Sequence, residues 1–152
     1  MLVFILSILF IITDQVSKFM VTTYLRGQPP KSIIGEFFQF YYLENTGAAF
    51  GILKGSRTIF FIITIIVLFV LFGILLRDYH NTSTILKISF ALIIGGTIGN
   101  FIDRIRLHYV VDFISIKIFD YNFAIFNLAD TYIVLGTFLL MIIVLLHENP
   151  KR

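Results

Sequence analysis

The 152-residue chain contains no cysteine, only three histidines and few charges. Without cysteine there can be no disulfide, no thiol nucleophile and no Cys-ligated metal, although the redox compartment stays open. His80, His108 and His147 stand apart, without the spacing of a metal-ligand set. Charged residues make up 14% of the chain and the formal net charge is +3. The Lys and Arg are scattered, which gives nucleic acid no basic patch to bind. What is present is apolar surface: 58% of residues, with 16% aromatic and a mean hydropathy of +0.94. Soluble domains average roughly 45–50% apolar, so the chain reads as an integral membrane protein surrounded by membrane lipids. Its length suits one unit of about four spans of ~20 residues, with no room for a second domain.

Four apolar segments fill that frame. The first covers about residues 1–25 and is closed by Arg26-Gly27-Gln28-Pro29-Pro30, a helix stop and turn. It has no basic start and no small-residue cleavage site, so a removable signal peptide is not expected. The second, about 56–76, follows a turn at Lys54-Gly55 and is closed by Arg77-Asp78-Tyr79-His80-Asn81; it reads as a lipid-facing support without chemistry. The third is about 85–102 and the fourth about 130–146, with a polar tail from His147 to Arg152.

Antiparallel neighbours put the end of span three and the start of span four on one membrane face, together with the excursions 26–55 and 103–129. Phe37-Phe38-Gln39-Phe40-Tyr41-Tyr42 in the first excursion is aromatic, β-prone and too short to span, which suits a small sheet at the interface. The turn Arg77–Thr84 and both termini lie on the opposite face. With the termini cytoplasmic, Arg77, Lys87, Lys151 and Arg152 are inside, against Arg26, Lys31, Lys54, Arg57, Arg104, Arg106 and Lys117 outside. Charge counting alone would invert this orientation.

The chemistry lies in polar residues set in or beside the apolar runs, where an ionised group costs several kcal/mol unless paired or solvated. Asp112, in Val110-Val111-Asp112-Phe113, and Asp130, in Phe126-Asn127-Leu128-Ala129-Asp130, are each flanked by apolar residues. Two acids brought together in a low-dielectric wall cannot both ionise. They share a proton, so one can act as base on a water and the other as acid, which suffices for peptide hydrolysis without a metal. Asp130 as a helix cap and Asp112 as a solvated loop residue stand equally open on spacing alone.

Other polar groups accompany them. Gly95 and Gly99 form a small-xxx-small ridge for close helix approach. Asn100, Asp103 and Arg104 can share one helical face near the two acids, and for Asp103 the favoured role is structural, as a helix-end ion pair with Arg104. Asp14 and Lys18, at i,i+4 and ~20 Å along the first helix, read first as a mutually neutralising structural pair. Asn45-Thr46-Gly47-Ala48-Ala49-Phe50 suits either a turn or the close approach of a bound chain.

Taken in order, Asp14-Gln15-x-Ser17-Lys18, Asn45-x-Gly47-Ala48-Ala49-Phe50, Gly95-Gly96-x-x-Gly99-Asn100-x-x-Asp103-Arg104, Val111-Asp112-Phe113 and Phe126-Asn127-x-Ala129-Asp130 resemble the motif set of the lipoprotein signal peptidase (signal peptidase II) family. The resemblance implies an all-α membrane fold of four transmembrane helices with cytoplasmic termini, an extracytoplasmic β-cradle and a short mobile helix between helices three and four. It implies a bacterial inner-membrane aspartic endopeptidase, without metal or other cofactor, working as a monomer and sensitive to globomycin. Its substrates would be prolipoproteins bearing an S-diacylglyceryl cysteine, cut just before that residue. Asp112 and Asp130 match the catalytic pair; Asp14, Lys18, Asn45, Gly47, Gly99, Asn100, Asp103, Arg104, Asn127 and Ala129 match positions that line or support the site.

Two other classes compete. A metal-dependent membrane hydrolase or phosphotransferase could hold Mg²⁺ on Asp103, Asp112 and Asp130. A small transporter could use Asp14 and Lys18 as a relay at mid-membrane.

Overall fold

The computed structural model describes residues 1–47, 57–77, 79–119 and 121–147. The elements run α1 (Leu2–Leu25), β1 (Lys31–Ile34), β2 (Phe38–Asn45), α2 (Arg57–Arg77), α3 (Thr84–Arg106), β3 (Val110–Ile118), β4 (Tyr121–Asn122) and α4 (Leu128–His147). All four helices are long and apolar enough to cross a membrane. At 1.5 Å per residue each reaches ~30 Å or more, the thickness of a hydrocarbon core. The chain is a multi-pass membrane protein.

α3 packs against each of the other three helices and is buried from Ser89 to Gly96 and again at Gly99, Asn100 and Asp103. The other helices keep apolar side chains such as Phe19, Phe69 and Leu146 turned outward. In a bilayer such exposure costs little, because lipid tails are as apolar as leucine; close backbone approach through small residues holds the helices instead. A Cβ on Gly95 would sit 2.8 Å from Phe10 Cβ on α1, and one on Gly99 would sit 2.6 Å from Asp14 Oδ2. Gly96 meets the carbonyl oxygen of Ala129 on α4. The ridge read from the sequence therefore faces α1, and Gly96 adds a second close contact toward α4.

The four strands form an antiparallel sheet in the order β1-β2-β3-β4. β2 pairs with β3 from Phe38 opposite Ile116 to Asn45 opposite Val110, and an irregularity between Phe40 and Leu43 brings Leu43 opposite Asp112. Two devices set the chain on this course. Gly27, at φ 75°, follows the end of α1, and His108, at φ 73°, takes the left-handed position just past α3.

The segment between α3 and α4 differs from expectation. α3 continues a turn beyond residue 102, to Arg106. Among the described residues the short helix is replaced by β3, β4 and an isolated pairing of Ile114 with Phe126. The reason is in the residues: Val110, Val111, Ile114, Ile116 and Ile118 are β-branched, stiff at χ1 and suited to a pleated surface. α4 also starts two residues early, at Leu128. Ala48, Ala49 and Phe50 of the Asn45 motif, the Lys54-Gly55 turn, Asp78 and the tail beyond residue 147 lie outside the described residues.

Two glycines give opposite expectations. Gly96→Ala drives a methyl into the Ala129 carbonyl and should lower the melting temperature in detergent by several degrees, the equivalent of about 1–3 kcal/mol of overpacking. Gly73→Ala on α2 meets nothing within 4 Å and should leave it unchanged or slightly higher.

Candidate active site

The site is built on a buried cation. Lys18 Nζ lies 2.9 Å from Asp14 Oδ2, 3.0 Å from Asp103 Oδ2 and 3.0 Å from Asn100 Oδ1. Lys18, Asp14 and Asp103 are all nearly sealed from solvent, so each charge needs its partners. Each acid then uses a remaining lone pair to hold a distant piece of backbone. Asp14 Oδ1 accepts the Ala129 N–H at 3.0 Å, and Asp103 Oδ2 accepts the Val111 N–H at 3.2 Å. Those amides are one residue from Asp130 and one from Asp112. Gln15 Nε2 ties the two acids together, donating to Asp14 Oδ2, Asp103 Oδ1 and the Gly99 carbonyl at 3.0–3.2 Å.

A relay of asparagines joins the two candidate acids. Asn100 Nδ2 donates to Asp130 Oδ1 at 2.7 Å, while Asn127 Nδ2 donates to Asp112 Oδ1 at 2.6 Å and to Asn100 Oδ1 at 3.1 Å. Asn45 Nδ2 reaches Asp112 Oδ2 at 2.7 Å, and Asn45 Oδ1 accepts the Gly47 N–H. At the start of α4, Asn127 Oδ1 accepts the Asp130 N–H and Asp130 Oδ2 accepts the Asn127 N–H, a reciprocal capping box. The cap and the acid are thus not alternatives: Asn127 is the capping residue, and Asp130 serves the box with one oxygen while the other lies on the relay. Among the described residues no buried side-chain nitrogen or oxygen lacks a partner.

Both acids line one cavity of about 380 Å³, together with Asn45, Asn100 and Arg104. Burial, reinforced by the charge of Asp130, pushes the Asp112 carboxyl up to about 7, against smaller pulls downward from Asn45, Asn127 and Lys18. Arg104 carries its guanidinium 4.6 Å over the Phe60 ring and exerts its charge on Asp130 and Asp112. Asp103 takes Lys18 as its ion-pair partner in place of its neighbour Arg104. Among the described residues no three His, Asp or Glu side chains converge in a metal-binding group.

The chain matches the family model described as "Signal peptidase (SPase) II" over residues 6–146. It belongs to the signal peptidase II family. It is similar to the lipoprotein signal peptidases of Staphylococcus aureus strains JH9 and Newman, at 37% identity over 97% of this chain and 90% of each relative. A bacterial membrane enzyme solved by the in meso method at 2.3 Å superposes with a TM-score of 0.87 at 35% identity, covering 99% of this chain and 91% of that one. A second, solved at 1.9 Å, gives 0.83 at 37% identity over 94% and 92%.

Twelve of the signal peptidase II motif positions come together here: Asp112, Asp130, Asn45, Gly47, Asn100 and Arg104 on the cavity wall, Asp14, Lys18, Asp103 and Asn127 in the network behind it, and Gly99 and Ala129 in close contact with Asp14. Three contributions were not read from the sequence. Gln15 lay inside a motif without a role. α2 is not a mere lipid-facing support, since its Thr64 lines the cavity and its Phe60 underlies Arg104; the two breaks in its apolar run at Thr58 and Thr64 were the available signal. Ala124 and Ile125, which line the cavity after β4 beside the motif residue Phe126, carry no such signal.

Two outcomes are expected. Carboxylate ¹³C NMR of the labelled protein should find Asp112 titrating near 7 and moving down in Asp130→Asn, which removes the neighbouring negative charge. Asn127→Ala removes the α4 cap and should cost about 0.5–2 kcal/mol from that loss alone, measurable as a lower melting temperature.

Proposed function

We propose that this protein is a lipoprotein signal peptidase, an aspartic endopeptidase that removes the signal peptide from diacylglyceryl-modified prolipoproteins just before the lipid-bearing cysteine. One observation carries the reading: Asp112 on β3 and Asp130 on α4 meet in one cavity, joined through Asn127 and Asn100, in a chain that a signal peptidase II model matches over nearly its whole length. It works as a single-domain monomer in the bacterial cytoplasmic membrane, with cytoplasmic termini, the sheet and site at the extracytoplasmic face, and sensitivity to globomycin. The charge distribution opposes this orientation, but three of the seven basic residues on the sheet side are committed: Arg26 to Glu44, Lys117 to Glu36 and Arg104 to the cavity.

In this reading Asp112 carries the proton of the pair, because it is pushed toward neutrality, and Asp130, which accepts two N–H groups, is the base. Asp130 takes a proton from a water held between the carboxyls, and the water oxygen bonds to the scissile carbonyl carbon. The Asp112 proton goes to the carbonyl oxygen. The tetrahedral adduct collapses as its C–N bond breaks and the proton on Asp130 passes to the departing nitrogen. One of the adduct's two hydroxyl protons returns to Asp112, restoring the pair. The substrate's acyl chains stay in lipid while the peptide enters sideways from the bilayer.

Purified protein in detergent should cleave a diacylglyceryl-modified prolipoprotein with or without chelator, and both Asp112→Asn and Asp130→Asn should abolish cleavage. Survival of activity in both variants sinks the catalytic assignment; loss with chelator alone moves the case to the metal hydrolase. The proton on Asp112 is lost as pH rises through its pKa, so kcat/KM should fall above about pH 7. A flat profile from pH 6 to 9 contradicts the proton assignment.

A further inference from the structure

A second cavity, of about 620 Å³, lies at the other end of the helices. Leu71 and Ile74 of α2, Leu86 and Phe90 of α3, and Leu140 and Val144 of α4 line it, and Ser83 stands at its rim. The chemistry described above makes no use of it. Its walls belong to the same three helices that contribute Thr64, Thr97, Asn100 and Ile133 to the cavity of the aspartates. The two cavities therefore lie one below the other along a single seam, in which α2 and α4 both pack on α3.

Their separation can be read off two helices independently. Phe90 precedes Asn100 by ten residues on α3, and Leu140 follows Asp130 by ten on α4; at 1.5 Å per residue both give ~15 Å. The apolar core of a signal peptide is about 7–15 residues, which as a helix is ~10–22 Å long. A helix of that length whose C-terminal end lies at the two aspartates places its N-terminal turns at this second cavity. The wall suits such an occupant: it is apolar and aromatic through the membrane, then polar at Ser83 where the chain leaves the hydrocarbon.

We propose that the cavity between α2, α3 and α4 at the Ser83 end is a specificity subsite that seats the apolar side chains at the beginning of the substrate's signal helix. The proposal rests on the signal peptidase reading and deepens it. The seam fixes the direction in which the helix lies, with its N-terminal end at the α2–α3 turn and its C-terminal end at Asp112 and Asp130. It makes the length of the apolar segment, and the bulk of its first residues, a determinant of cleavage efficiency.

The test compares two synthetic diacylglyceryl lipopeptides in detergent, one with an apolar segment of about 14 residues and one shortened by six at its N-terminal end. The full-length wild-type chain should prefer the long substrate, and filling the cavity with Leu140→Trp should reduce the long-to-short ratio of kcat/KM about tenfold, carried by KM. In a second measurement a photo-crosslinking residue ten positions before the cleavage site, in a long peptide held by Asp130→Asn, should attach to the wall around Phe90 and Leu140. A ratio unchanged by Leu140→Trp, whether both substrates suffer equally or neither does, overturns the subsite and leaves the cavity to a lipid acyl chain. Crosslinking to the outward face of α1 overturns it as well. Failure of the wild-type chain to cut either lipopeptide overturns the peptidase reading, and the subsite with it.

Discussion

Everything at the sheet end of the bundle depends on one buried ammonium. Among the described residues Lys18 is the one cation paired with these two sealed carboxylates, Asp14 and Asp103, and removing one member of such a cluster typically costs about 3–5 kcal/mol because it leaves an uncompensated buried charge. More than charge balance follows from it. Asp14 and Asp103, fixed by Lys18 and Gln15, hold the amides of Ala129 and Val111, so two backbone segments about 18 residues apart in sequence are set against the same rigid group. Asp130 and Asp112 are the next residues along. Lys18 also donates to the side-chain Oδ1 of Asn100, which turns Asn100 Nδ2 toward Asp130. The pair is thus positioned by Lys18, Asp14, Gln15 and Asp103, which do not line the cavity, acting in part through Asn100, which does.

The bilayer explains why the support is polar. Helices in lipid gain little from burying apolar side chains against one another and are held by small residues and by polar contacts. α3 supplies both on its buried face: glycines where α1 and α4 press close, then Asn100 and Asp103 where the helices emerge at the sheet. Among the described residues α2 shows no such tie and packs by apolar contacts and the Phe60–Arg104 cation–π pair, and two separate cavities lie where α2, α3 and α4 meet, one at the aspartates and one toward the α2–α3 turn.

Much of this was legible in the residues. Long apolar runs broken by turn signals locate the four helices to within a few positions, because span length is dictated by membrane thickness. The polar residues could be picked out because nothing but function or pairing keeps an Asp in such surroundings, and the order of the motifs named the family. What was not legible is pairing between distant segments. The i,i+4 spacing of Asp14 and Lys18 is local and was read; Lys18 with Asp103 and Asp14 with the Ala129 amide join residues 85 and 115 positions apart in sequence, as the numbering itself gives, and no local pattern announces them. The β3 strand was missed for another reason. Its β-branched run is visible in Val110–Ile118, whereas the family resemblance implies a short helix in this segment. Gln15 shows a third limit, since an amide flanked by Asp14 and Val16 gives no sign that its donors bridge two acids on different helices.

The most direct test of the account is a double-mutant cycle on cleavage rate for Asp112→Asn, Asp130→Asn and the two together, followed by single-turnover kinetics. Two carboxyls that share one proton and one water fail as a unit, so each single variant and the double variant should fall to about the same residual rate. A double variant whose loss is the product of two separate partial losses would show that the acids act independently, and would contradict the central claim.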